Sequence, residues 1–174
     1  RLLHHFPARR LDAESIRDAI LATSGRLDRS RFGMSIYPFR KESNADRRLF
    51  AGPLDGDGRR SVYIKTNLME PTRFLSIFNT PGGKVCQGRR DVSNVPAQAL
   101  ALLNDPFVIG QAGVWAATLL ATPGRDPAER IGAMFERALG RPASDREQRE
   151  FNALLETLLE LHQVPQDDLM TSTV

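Results

Sequence analysis

Apolar positions fall into helical registers over most of the chain. Ala13, Ile16 and Ile20 recur with Thr23 at three- and four-residue spacing, and Arg17 and Asp18 fall on the polar side. Asp12 precedes this segment as a capping residue, and Ser24-Gly25 is a stop. Glu70-Pro71 opens a short helix carrying Phe74, Leu75, Ile77 and Phe78, broken by Pro81-Gly82-Gly83. Pro96, with its fixed φ and no N–H, suits the first position of a third helix. Ser93 and Asn94 stand nearby as caps, and Ala97 to Leu103 are almost wholly apolar. Asn104 ends that helix. Asp105-Pro106 starts a fourth, running to about Ala121 without a charged residue, with Val108, Ala112, Trp115 and Leu119 on one face. A helix apolar nearly all round belongs in a core or a membrane. The run is about long enough for a bilayer. Gly110, Gln111, Gly113 and Thr118 interrupt it and no second such segment follows, so the expectation is a buried central helix and no membrane span.

Two further helices are marked by their starts. Asp126-Pro127-Ala128-Glu129 resembles a capping box with proline at the first position, followed by Ile131, Met134, Phe135, Ala138 and Leu139. Gly140 ends it. Ser144-Asp145-Arg146-Glu147 is a capping box in the strict sense, followed by Phe151, Leu154, Leu155, Leu158 and Leu159. The short connection predicts an antiparallel αα-hairpin. Period-two patterning is confined to Ser61–Thr66, where Val62, Ile64 and Thr66 alternate with Tyr63 and Lys65, and to Gly33–Tyr37. The expected architecture is therefore mainly α, a helical domain with a C-terminal αα-hairpin and a small two-stranded antiparallel β-ribbon. It is expected as a single domain over 1–174, the C-terminal part of a larger one, with an ordered core over 9–163, a mobile loop over 40–58 and a tail over 164–174.

Composition adds limits. The chain has 174 residues, 41% hydrophobic and 26% charged, which is the balance of a globular protein. Its net charge is +3, with 21 Arg and 3 Lys. The positive charges are interleaved with Asp and Glu and form no basic stripe, and Glu147, Glu150, Glu156 and Glu160 on the last helix would repel phosphates, so no nucleic-acid partner is expected. The single Cys86 cannot form an internal disulfide, and Cys-Gln-Gly-Arg is not a haem-attachment motif. Asp55-Gly56-Asp57-Gly58 lacks the remaining spaced oxygens of a calcium loop. His4-His5 reads as an exposed end rather than a metal site. No metal site and no cofactor is expected within this chain, and no nucleophile–base pair is visible.

The polar residues framed by apolar segments are Arg89, Arg90, Asp91, Gln98, Asn104 and Asp105. Two readings arise. Arginines suited to bidentate contact could line an anion or partner site. Alternatively, Arg89 or Arg90 pairs with Asp91 or Asp105 and satisfies the helix ends, which is the favoured reading. In either case, an arginine covered by the two central helices needs a carboxylate beside it.

Four segments together carry a resemblance: RRLDAESIRDAILATSGRLD at 9–28, RRSVYIKT at 59–66, GRRDVSNVPAQALALLNDPFV at 88–108, and RALGRPASDRE at 137–147. They resemble the C-terminal domain of unknown function of large secreted planctomycete cytochrome-associated proteins. The chain departs from that pattern at Phe32–Pro38, where Gly33-Met34-Ser35 stands in place of a Gly-Gly-Pro element. The resemblance implies an exported, periplasmic or cell-surface setting, with haem held by a neighbouring domain and with partners among other domains of the same polypeptide or other proteins. It supplies no catalytic residue. The function expected is a non-catalytic interaction or scaffolding domain, the alternative being the substrate- or anion-binding part of a redox enzyme whose chemistry lies in another domain.

Overall fold

The structure, a computed structural model, describes residues 9–37, 52–66, 68, 71–122 and 126–163. The expected N-terminal end with His4-His5, the loop over 40–51 and the tail over 164–174 lie outside these residues. The described residues form six α-helices: α1 (Ala13–Ser24), α2 (Arg73–Ile77), α3 (Pro96–Asn104), α4 (Pro106–Leu120), α5 (Pro127–Leu139) and α6 (Asp145–His162). The chain divides into two compact units, Arg1–Ala112 and Gly113–Val174.

In the first unit α1 packs on α2, and α2 on α3. The core is built of Ala13, Leu21, Phe74, Leu75, Phe78, Ala101 and Phe107, flanked by Ile16, Ile20, Leu27, Ile64, Ile77 and Val108. The Phe74 ring lies 5.1 Å from Phe78 and 5.4 Å from Phe107, the second contact edge-on as aromatic quadrupoles favour. The buried face of α1 is Ala13, Arg17, Leu21 and Ser24, not the Ile16–Ile20 face with Arg17 outside. Ile16 and Ile20 are only partly buried. Gly25 closes α1 in the left-handed region at φ 83°, as the Ser-Gly stop predicts.

The β-ribbon is not present among the described residues. Gly33–Tyr37 and Ser61–Thr66 do meet, but through one parallel bridge between Ile36 and Ile64. The Ile36 N–H donates to Tyr63 O at 2.9 Å and the Lys65 N–H to Ile36 O at 2.8 Å. A second parallel bridge joins Asp28 and Arg59. The ladder cannot extend because Ser61 is already committed: its N–H and its hydroxyl both donate to Asp18 Oδ1 at 2.7 Å, and Ser61–Tyr63 winds into a 3-10 turn. Val62, expected as a strand residue, is 71% exposed in this 3-10 turn.

Residues 52–58, expected as part of a mobile loop, are drawn in against α1. Gly56 and Gly58 are buried. Gly58, at φ +74°, approaches so closely that a Cβ there would stand 2.0 Å from Arg26 O. The Asp55 carboxylate accepts from the Asp57 N–H at 3.1 Å within the turn and from Arg26 at 3.2 Å, so both of its oxygens are engaged.

Helix α4 is not the buried centre its composition suggests. Only Phe107 and Gln111 are buried, and Ala112 is exposed on the face expected inside. Uniform apolarity gives a helix no direction; here the Phe107–Gln111 stripe faces inward, Phe107 packed edge-on against Phe74 and the Ser24 hydroxyl 2.7 Å from Gln111 Oε1.

In the second unit Asp126 caps α5, its Oδ1 accepting from the Glu129 N–H at 2.7 Å, and Gly140 ends the helix at φ 66°. Ser144 and Glu147 form the capping box of α6. The consecutive helices α5 and α6 pack on one another, with the Phe135 and Phe151 rings edge-on at 5.3 Å. Arg141 makes a bidentate pair with Glu147 at 2.7 and 2.9 Å and lies over the Phe135 ring. Ile131 and Phe135 are buried on α5, whereas α6 buries no residue.

Candidate functional site

The six polar residues expected to converge are divided by the fold among separate tasks. Arg90 pairs with α1, its Nη1 donating to Glu14 Oε2 at 2.6 Å and its Nη2 to Glu14 Oε1 at 3.1 Å, with Asp12 Oδ2 at 3.9 Å. Its partners are therefore Glu14 and Asp12, and not Asp91 or Asp105. Burial pushes the Glu14 carboxyl up, but the Arg90 hydrogen bond and charge outweigh it and leave Glu14 below its ordinary value. The same hydrogen bond holds Arg90 above its ordinary value.

Gln98 is buried and works at the opposite end of the segment. Its Nε2 donates to Ile77 O at 3.0 Å and to Asn79 Oδ1 at 3.2 Å, and its Oε1 accepts from the Val95 N–H at 3.2 Å. It thus satisfies the end of α2 and the start of α3 together. Ser93, expected as a cap, donates to Asn79 Oδ1 at 2.8 Å, and Val95 holds the capping position of α3. Asn104 donates to Leu100 O at 3.1 Å within its own helix. Asp105 caps α4, accepting from the Phe107 N–H at 2.9 Å. Arg89 and Asp91 are exposed. Arg90 and Asp91 line, with Arg10, Asp12, Phe78 and Asn79, a recess of about 30 Å³, room for about one water molecule. An anion seeking the Arg90 fork meets a fork already filled by Glu14.

The strongest polar centre is one that sequence reasoning placed on the surface. Arg17 has no exposed surface. Its Nη1 donates to Arg59 O at 2.9 Å and to Ser61 Oγ at 3.1 Å, and its Nη2 to Asp55 O at 2.6 Å. The guanidinium lies over the Phe107 ring at 5.4 Å, with the Asp18 carboxylate 3.7 Å away. Burial pulls Arg17 down to about 10, against the opposing charges of Asp18 and Asp55. It therefore stays cationic at neutral pH. Around this centre Arg59 stacks on Tyr63 at 4.1 Å and donates to Phe32 O at 2.6 Å. The sequence signal was the four-residue spacing of Ala13, Arg17 and Leu21 beside the acceptor-rich turn Asp55–Ser61. These are matched donors and acceptors that join α1 to two distant segments.

In the second unit α4, α5 and α6 enclose a cleft of about 380 Å³, lined by Ala116, Leu119, Met134, Leu154, Leu155 and Leu158 among others. Hydrocarbon dominates its wall, and Arg130 is the charged residue among those lining it. Leu154, Leu158 and Leu161 are 52%, 42% and 72% exposed. Elsewhere Leu100 and Leu103 of α3 and Ile109 of α4 are exposed as well. Cys86 is exposed. Among the described residues no group of three or more His, Cys, Asp or Glu side chains could hold a metal ion, and no helix is long and apolar enough to cross a membrane.

The chain is mainly helical, and large apolar side chains stand exposed on several of its helices. The chain belongs to the family described as PSD1, protein of unknown function (DUF1553), whose pattern it matches over residues 1–155. None of the curated proteins and none of the solved structures matches the chain.

Proposed function

We propose that this chain is a non-catalytic interaction and scaffolding domain of an exported multidomain protein, of the planctomycete cytochrome-associated kind that its motifs resemble. The observation that carries this reading is the exposure of large apolar side chains on regular helices: Leu100 and Leu103 on α3, Ile109 on α4, and Leu154, Leu158 and Leu161 on α6. Leu100 and Leu103 on α3, and Leu154, Leu158 and Leu161 on α6, recur at the three- and four-residue spacing of one helix face, and exposed apolar surface of this kind favours contact with another surface. The partners are other domains of the same polypeptide or separate proteins, and any haem belongs to a neighbouring domain.

The alternative, an anion- or substrate-binding part of a redox enzyme, would rest on the recess beside Arg90 and Asp91. The Glu14 carboxylate in the Arg90 fork weighs against it. The test is fractionation of native cells followed by cross-linking of the intact polypeptide. The expected result is recovery in the exported fraction, with cross-links from α3, α4 or α6 to other domains or proteins. Recovery in the cytoplasm, or cross-links confined to this chain, would overturn the proposal.

A further inference from the structure

We propose that the turn Phe32–Met34 is a membrane-contact tip that sets the Phe32 and Met34 side chains into the interface of an anionic lipid bilayer. Phe32 and Met34 are 82% and 88% exposed. Phe32 also stands at φ 65°, a left-handed conformation that is costly for a bulky residue and persists only where its surroundings impose it. Two long-range bonds impose it here. The Phe32 N–H donates to the Tyr63 hydroxyl at 2.7 Å, and the Phe32 O accepts from Arg59 Nη2 at 2.6 Å. Arg59 in turn lies over the Tyr63 ring at 4.1 Å, so the two clamps brace one another. The Phe32 ring is thereby held out in water instead of folding onto the core. Both polar backbone groups of Phe32 are satisfied within the chain, so lowering its ring into the headgroup–acyl boundary strands neither of them.

Size and charge select a bilayer over a protein. The tip offers two large apolar side chains, one on either side of Gly33. A stable protein interface takes about 800 Å² from each partner, whereas peripheral attachment to a bilayer needs a few inserted side chains with basic residues beside them. The basic residues are present. Arg1–Ala112 holds eighteen Lys and Arg against eleven Asp and Glu, a net +7, and Gly113–Val174 holds six against ten, a net −4. Within the first unit, residues 26–37 and 59–66 are joined by the Asp28–Arg59 and Ile36–Ile64 bridges. They hold six Lys and Arg and one acid, Asp28. Arg26, Arg59 and Arg60 lie beside Asp55, Asp28 and Asp18. Arg29, Arg31 and Lys65 are exposed and stand outside these pairs. Lys65 Nζ lies over the ring of Tyr37, itself 42% exposed, at 4.9 Å. Tyrosine and lysine together suit the headgroup layer, where one end of each side chain is apolar and the other wet. Inserted side chains or cations alone attach marginally, and this tip carries both. The contact involves none of the α3, α4 and α6 faces proposed to meet other domains, and it stands without them.

The test is sedimentation of the full chain with vesicles of phosphatidylcholine alone and of equal parts phosphatidylcholine and phosphatidylglycerol. The chain should bind the anionic vesicles, less so with added salt, and the neutral ones at least about tenfold more weakly. Phe32→Ser with Met34→Ser should weaken binding by at least about tenfold while leaving the circular dichroism unchanged, since both side chains stand in water. Arg29→Gln with Arg31→Gln should weaken it by about fivefold per arginine. Val85→Ser, which alters an exposed apolar side chain between α2 and α3, should leave it intact. In Phe32→Trp the added emission should shift to the blue on anionic vesicles, with the native chain and its Trp115 as the baseline. No binding, equal binding to the two kinds of vesicle, loss with Val85→Ser, or binding that Phe32→Ser with Met34→Ser leaves unchanged would each overturn the proposal. A photoreactive phenylalanine analogue at position 34 should label lipid in intact cells. Label on a neighbouring protein instead would give the tip to a protein partner and overturn the proposal as well. Lipid binding without cross-links from α3, α4 or α6 keeps this inference and sinks the interaction reading alone.

Discussion

Arg17 and Gly58 show how much of this fold depends on single positions. Arg17→Met keeps the volume and removes the charge, but leaves Asp55 O, Arg59 O and Ser61 Oγ without their donor. Each loses a bond that water does not readily replace in a buried setting, so a loss of roughly 3 kcal/mol is expected in urea denaturation. Gly58→Ala combines a positive φ with a Cβ forced onto Arg26 O. It should cost at least about 2 kcal/mol by the same measurement, while Gly82→Ala, where a Cβ meets nothing, should be nearly neutral. Asp105→Ala removes the cap of α4 and should cost about 1 kcal/mol. The Glu14–Arg90 pair is partly exposed and contributes under about 1 kcal/mol. Because the folded Glu14 pKa lies below its ordinary 4.5, that contribution is complete above the unfolded pKa and is lost as pH falls through the folded one. Glu14→Gln should therefore flatten the acid limb of a stability–pH curve and leave the neutral region almost unchanged. A neutral-pH loss as large as that of Arg17→Met would contradict this.

At the scale of elements, most helix starts and stops and the inward faces of α2 and α5 were legible, whereas the inward faces of α1 and α4, the side-chain cap expected of Asp12 and the start of α3 were not. Asp126-Pro127, Ser144 with Glu147, Asp105-Pro106, Ser24-Gly25 and Gly140 all do what their chemistry predicts, because caps act within a few residues. Far-UV circular dichroism should accordingly be dominated by helix, with little strand signal. What sequence could not supply was long-range: Asp18 claiming Ser61, which replaced a strand by a 3-10 turn, and Phe74 and Ser24 meeting Phe107 and Gln111 on the inward stripe of α4. The expected polar cluster failed for the same reason. Arg90 does pair with an acid, but the acid is Glu14, seventy-six positions away, and no local pattern marks it. Arg17 was hidden by the habit of assigning arginine to the surface, which is right for most helices and wrong where backbone carbonyls converge on one face.

At the scale of the molecule, the two units differ in what they bury and in charge sign. The first has an aromatic core and a net +7, the second a small core under an open apolar cleft and a net −4. In the first, Arg17, Arg26, Arg59 and Arg90 lie beside Asp18, Asp55, Asp28 and Glu14, and the remaining positive charges are interleaved with acids along the chain and form no continuous stripe. Duplex DNA should therefore bind negligibly at physiological salt. Micromolar binding that falls steeply with added salt would show a phosphate-binding face absent from this account. Hydrogen exchange should be faster along α6, which buries no residue, than along α1, whose Arg17 and Leu21 are fully enclosed.

The burial of Arg17 also bears on the order in which the chain can assemble. Its acceptors lie 38 to 44 residues away, so they arrive late, after a long loop has closed. Until then α1 carries a cation in the middle of its inward stripe, and every premature docking of that stripe onto other apolar surface must strip water from the guanidinium without repayment. The residue thus acts as a guard on an otherwise sticky helix, released only when the correct three oxygens are present. Replacing it with methionine should lift the guard: on rapid dilution from denaturant, Arg17→Met should bind a hydrophobic dye in the earliest phase, where the native chain binds little.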